Sequence, residues 1–192
     1  MNRSHRETEK NAADPGFDDA ELIKIVDSMS ARAINFLAVD FDKTFVSIHT
    51  YGTWPGSAAD LAQKVRPFFK LFIPLVMSRN ISVAIVTFSS QVKLIQQVIH
   101  HLFPDLAAFI PVRGRDLSWD YKGKGSCEGK QKHMASAAEE LSQGISGITR
   151  ATTLLIDDDL SNVCIALKNR VRAVHCDPDM PRNMIDDLLC VQ

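Results

Sequence analysis

The stretch Phe36-Leu37-Ala38-Val39-Asp40-Phe41-Asp42-Lys43-Thr44-Phe45 constrains this chain more than any other. An apolar run leads straight into two aspartates spaced i and i+2, and then a threonine. A short apolar run bounded by polar residues reads as a strand buried on both faces. A strand that ends in carboxylates delivers them to the carboxyl edge of a sheet, where open α/β sheets bind ligands. Two carboxylates crowded there repel each other and lose solvation, so a neutralising partner is required. A divalent cation meets that need, and Mg²⁺ is the hard cation that takes carboxylate oxygens together with phosphate.

The rest of the chain supplies helices and strands in alternation. Asp18-Asp19 open a helix whose apolar stripe is Leu22, Ile25, Val26, Met29 and Ala33. The first strand is expected over 34–39. Ser57 reads as the N-cap of a helical stripe from Leu61 to Val76, and Pro67 and Pro74 predict a kink or break in it. Further strands are expected over 81–86, 108–112, 152–156 and 171–175. Helices are expected after Ser89 or Ser90, over 129–141 and over 160–168, with a short one near the C-terminus. This alternation predicts an α/β fold, a Rossmann-like three-layer sandwich with a five-stranded parallel sheet and helices on both faces. Residues 1–16 are polar and read as a disordered tail, leaving 17–192 as a single domain.

Composition narrows the setting. The net charge of −1 makes no global case for nucleic acid or membrane as a partner. Four cysteines are scattered without metal-ligand spacing, and Cys164 and Cys176, in apolar runs, read as buried thiols. No apolar stretch approaches the roughly 18 residues of a membrane span, and no secretory leader is visible. The expectation is a reduced, soluble, cytoplasmic protein.

Four features fall at strand ends or helix starts: Asp40 with Asp42, Thr87, Lys130 with Lys132 two residues on, and the triple acid Asp157-Asp158-Asp159. Carboxylates for a metal, one hydroxyl and one cation are what a phosphoryl group needs. Each also has a plain reading: an Asp-capped turn, a strand end, or acids at a helix N-terminus.

The ordered set Asp40-x-Asp42-x-Thr44, Thr87, Lys130 and Asp157-Asp158 resembles the four motifs of the haloacid dehalogenase-like superfamily, over residues 34–176. The resemblance implies a strand order 5-4-1-2-3, which brings the first and fourth strands together. It implies a Mg²⁺-dependent phosphatase in which Asp40 is the nucleophile and Asp42 the general acid and base. The ion would be held by the Asp40 carboxylate, the Asp42 backbone carbonyl and Asp158, with Asp157 second. Thr87, Phe88, Ser89 and Lys130 would face the phosphate; Lys43 could join them, although it reads rather as pointing to solvent. Lys132 is the alternative to Lys130, and Asn162 would support the metal through water. The spans from Thr44 to Thr87 and from Thr87 to Lys130, each about forty residues, are consumed by elements the sheet requires, so no large cap domain is expected. An uncovered site admits a macromolecular phosphorylated substrate, and the positively charged loop 113–132 reads either as a solvated loop or, in the sharper reading, as the place where a polyanion would enter.

Three other readings use similar residues. A phosphate-binding scaffold would not need Asp42, and a phosphotransferase would differ only in its acceptor. A receiver-type signalling domain would carry its phosphorylated aspartate at the end of the third strand and its lysine at the end of the fifth. Here those strands are expected to end at Val112 and Cys176. Adjacent His100 and His101 read as surface residues, and His133 as out of reach of substrate.

Overall fold

A computed structural model describes residues 17–143 and 147–190. The tail expected over 1–16 and part of the Gly-Ser linker therefore lie outside the described residues. Five strands, β1 (Phe36–Val39), β2 (Ser82–Val86), β3 (Val112–Arg113), β4 (Thr153–Asp157) and β5 (Arg172–His175), form one all-parallel sheet. Its order is β3-β2-β1-β4-β5, so β1 lies at the centre between β2 and β4. This is the expected Rossmann-like α/β sandwich, with no inserted cap among the described residues.

The register explains why the middles of the central strands are apolar. Ala38 stands beside Ala84 on β2 and Leu155 on β4, and Val39 beside Ile85 and Ile156. Alternate residues face opposite layers. Leu37, Val39, Val83, Ile85, Leu154 and Ile156 pack against α1 (Asp19–Ala31), α3 (Pro67–Ser78), α4 (Val92–Leu102) and α7 (Pro181–Cys190). Phe36, Ala38, Ala84, Val86 and Leu155 pack against α5 (Gln131–Leu141) and α6 (Leu160–Lys168).

The boundaries show which local signals prevailed. The stripe from Leu61 to Val76 breaks as its prolines require: α2 (Ala58–Ala62) stops, and Pro67 begins α3 at a position where a missing N–H costs nothing. Pro74 is tolerated inside α3. Ala33 lies beyond the end of α1, exposed, with φ of 56°. The third strand is displaced from its expected span. Residues Ala107–Phe109 form a short 3₁₀ turn, and pairing begins only at Val112 and reaches Arg113. An apolar run alone cannot distinguish turn from strand. The fourth helix is capped neither by Ser89 nor by Ser90, because Gln91 occupies the N-cap; Ser89 Oγ instead accepts from the Gln91 N–H at 3.2 Å. Of the two cysteines expected to be buried, Cys176 is, whereas Cys164 lies on the outer face of α6 and is exposed. His100 and His101 are exposed as expected. No helix among the described residues is long and apolar enough to cross a membrane.

Candidate functional site

The carboxyl ends of β1, β2 and β4 open into a cleft of about 600 Å³. Asp40 follows β1 directly, Asp157 ends β4, and Asp158 is the next residue. One carboxylate oxygen from each of Asp40, Asp157 and Asp158 lies within 4.8 Å of the other two. Adjacent parallel strands in register bring these three together, although 117 and 118 positions separate Asp40 from its partners in sequence.

Lys130 is the one cation paired with this group among the described residues. It is 2% exposed, and Nζ stands 2.5 Å from Asp40 Oδ1 and 3.1 Å from the Val86 carbonyl, over the Phe88 ring. Lys132, two residues on and so turned to the other side of the helix, is exposed and lies near Trp119. Two buried acids and the half-buried Asp158 outnumber the cations near them, Lys130 against Asp40 and Lys43 near Asp158, and leave negative charge uncompensated. Burial pushes the Asp40 carboxyl above the usual range, and Lys130 opposes that rise. Burial, then the charge of Asp40, pushes Asp157 up to about 7 and Asp158 up to about 6. An all-oxygen set with excess negative charge fits a hard divalent cation. Asn162, on the first turn of α6, donates Nδ2 to both Asp157 oxygens at 3.1 Å and fixes that carboxylate directly.

Asp42 faces elsewhere. Its Oδ1 accepts from the Thr50 N–H at 2.9 Å, and Oδ2 lies 3.3 Å from His49 Nδ1. A wide turn separates it from Asp40, closed by bonds from Phe45 N to Asp40 O and Val46 N to Phe41 O. The buried Arg66 fastens this turn through the carbonyls of Lys43 and Thr44, both at 3.1 Å. Thr87 Oγ1 accepts from the Ser89 N–H at 3.1 Å, which leaves its own proton free to donate into the cleft. Lys43, Phe88 and Ser89 line the same cleft.

The nine residues expected to act on metal or phosphate thus line one cavity, whereas Thr44 and Lys132 do not. Sequence reasoning missed His49, Tyr51 and Gly52, which complete its wall. It also missed Gln91, which clamps Trp54 through a bond accepted from N and one donated to O, at 2.7 and 3.1 Å. An irregular loop gives no periodicity from which to read such contacts. Gly114 belongs to the supporting structure as well: a Cβ there would meet Val92 at 2.4 Å and the Ser89 carbonyl at 2.5 Å. Only glycine lets the end of β3 press against the 87–90 turn.

The positively charged loop is only partly available. Arg113 is buried and bonded to Ser136 at 2.9 Å and to Glu140. Arg115 stacks on Phe88, its guanidinium carbon 4.4 Å from the ring centre.

His133 lies outside the cleft, as expected, but is 1% exposed between Phe88 and Trp119. Neither ring nitrogen has a hydrogen-bond partner among the described residues. Burial, followed by the positive charge of Lys130, pushes it down to about 3 from 6.5. The folded protein therefore keeps it neutral, while the unfolded chain takes up a proton below about 6.5. Stability from this residue is present above that pH and drains as the pH falls toward 3. Relative to His133→Phe, the native protein is expected to lose about 1.4 kcal/mol per pH unit between those limits. Denaturant unfolding across pH checks this, and parallel curves for the two proteins would contradict it.

No protein-family model and no curated protein matches the chain. It is similar to a crystal structure of an uncharacterized protein from Corynebacterium glutamicum, with a TM-score of 0.45 and 14% identity. The likeness covers 83% of this chain and 97% of that one, and it identifies no activity.

Proposed function

We propose that this protein is a Mg²⁺-dependent phosphatase of the haloacid dehalogenase-like type, hydrolysing a phosphomonoester through an aspartyl-phosphate on Asp40. One observation carries the reading: Asp40 is buried between a lysine and two further carboxylates at the mouth of a cleft. A purely structural ion pair has no use for two more acids beside it, which cost stability until a cation neutralises them.

The chain's own groups divide the work. Lys130 holds Oδ1 of Asp40, leaving Oδ2 to attack phosphorus as the bond to the leaving oxygen breaks. Asp42 sits on its own support, the Thr50 N–H, rather than on Lys130. It donates a proton to the leaving oxygen and then takes one from the water that cleaves the acyl phosphate. The Thr87 hydroxyl and the Lys130 ammonium bind phosphate oxygens, and Lys43, Phe88 and Ser89 border them. Asp40, Asp157, Asp158 and the Asp42 carbonyl would hold Mg²⁺, which when bound offsets the phosphate's charge. The same phosphoenzyme would serve a phosphotransferase, with another acceptor in place of water.

The protein is expected to hydrolyse an aryl phosphate in Mg²⁺ and to stop in excess chelator. Acid quenching during turnover is expected to trap a base-labile phosphate, at most one per chain. Absence of turnover and of trapped phosphate in Mg²⁺ would overturn the reading.

A further inference from the structure

Six non-glycine residues among those described adopt φ in the left-handed region: Ala33, Lys43, Tyr51, Asn80, Leu117 and Arg170. Three of them end helices. After Ala33, Asn80 and Arg170 the next N–H returns to a carbonyl in the preceding turn (Ile34 to Met29, Ile81 to Val76, Val171 to Ala166). That is the ordinary C-terminal motif, which rewards the conformation. Leu117 sits in the loop after β3. Lys43 and Tyr51 end no helix, and both line the cleft.

Tyr51 and Gly52, both left-handed, form the centre of a tight turn closed by the Thr53 N–H on the Thr50 carbonyl at 3.1 Å, so the turn accounts for the φ of 55°. What the turn does not account for is the side chain: glycine or asparagine suits that position better, yet it carries a tyrosine that is 78% exposed and contributes little to the core. A large ring held at the cleft where neither turn nor packing requires it points to function. Its ring lies flat on His49, with centroids 4.2 Å apart and planes 5° from parallel. Its N–H donates to His49 Nδ1 at 3.1 Å, and the neighbouring Thr50 N–H is fixed to Asp42. Further along, Gln91 clamps the loop at Trp54. A rigid base therefore presents an aromatic face at the mouth of the cleft.

The order of these groups sets a distance. Asp42 lies 3.3 Å from His49, and Tyr51 is stacked on the same imidazole. A ring bonded directly to the leaving oxygen would stop beside Asp42 and His49. A ring carried one sugar further out would reach Tyr51. We propose that Tyr51 is the recognition face for a planar base and that the substrate is a nucleoside monophosphate. This rests on the phosphatase reading of the same site.

The test compares adenosine 5′-monophosphate with ribose 5-phosphate, which lacks only the base, and with phenyl phosphate, which lacks the spacer. For the native protein, kcat/KM for the nucleotide is expected to exceed that for ribose 5-phosphate by about tenfold or more, the scale of one base–aromatic stack. In Tyr51→Ala that ratio is expected to collapse toward one, and in Tyr51→Trp to persist. Tyr51→Gly removes both the ring and the strain, so it is expected to raise the melting temperature while losing the discrimination. An equal fall for both substrates, a ratio near one in the native protein, or a preference for phenyl phosphate overturns the proposal and leaves the phosphatase reading standing. Calorimetric binding of adenosine 5′-monophosphate to Asp40→Asn reads the stack without turnover. If Tyr51→Ala on that background does not weaken binding about tenfold, the proposal fails whatever the enzyme assay gives.

Discussion

Asp40→Asn is expected to lower aryl phosphate turnover on the order of 10⁴-fold or more while leaving the fold intact. The amide is nearly isosteric and keeps an oxygen that can accept from Lys130 Nζ, which now stands 2.5 Å from Oδ1. What it loses is the charge and nucleophilicity with which the remaining oxygen would attack phosphorus. Asp42→Asn separates the two acids. It removes proton transfer, a loss of about 10² to 10⁴, but a good leaving group such as p-nitrophenolate needs little protonation. That variant is expected to form the phosphoenzyme and then stall, since the attacking water has no base. Rapid quench with p-nitrophenyl phosphate checks both results: trapped phosphate in Asp42→Asn and none in Asp40→Asn. Equal turnover by native protein and Asp40→Asn would remove Asp40 as the nucleophile.

Lys130→Met is expected to cost about 3–5 kcal/mol of stability near pH 8 without Mg²⁺, the penalty for stranding a buried charge. Asp40 would then share its pocket with Asp157 and Asp158 and have no lysine at all. The pH dependence follows from their shifts. All three carboxyls are already raised, Asp157 to about 7 and Asp158 to about 6. Above those values they are charged and repel, so the loss is greatest. As the pH falls through them they take up protons, and the loss shrinks. Mg²⁺ narrows the gap at pH 8 by the same electrostatics. Lys132→Met, at an exposed position, is expected to change stability by less than about 0.5 kcal/mol. Urea unfolding at pH 8 and pH 5.5, with and without Mg²⁺, checks this; an equal loss under all four conditions would contradict the electrostatic account.

These expectations grow from residues that the sequence already sets apart. A fully apolar strand can lie only in the middle of a sheet covered on both faces, and a strand that ends in acids must bring them to its carboxyl edge. The first principle accounts for β1, β2 and β4, and the second for the meeting of Asp40, Asp157 and Asp158. The prolines at 67 and 74 marked a break, and α3 begins at the first of them. The third strand lies beyond most of its expected span because the apolar run around Ala107–Phe109 turns instead, and only pairing with Ile85 and Val86 sets the strand at Val112–Arg113. Cys164 is exposed despite its apolar neighbours because a nine-residue helix packed on one side leaves some apolar positions outside.

The local sequence determined which chemistry this chain carries: acids behind a buried strand, a hydroxyl, a lysine at a helix start. Tertiary structure decided how those groups divide. It chose Lys130 over Lys132 because only one points inward from the start of α5. It gave Asn162 to Asp157, and it took Arg113 out of the positively charged loop to pair with Glu140. It also set Tyr51 on His49 beside Asp42, a contact that no periodicity encodes. The physical reason is one of range. Burial pattern and turn chemistry act over a few residues and can be read in order along the chain. Partner choice among polar and charged groups depends on which side chains packing turns toward each other, whether 90 positions apart, as for Lys130 and Asp40, or five, as for Asn162 and Asp157.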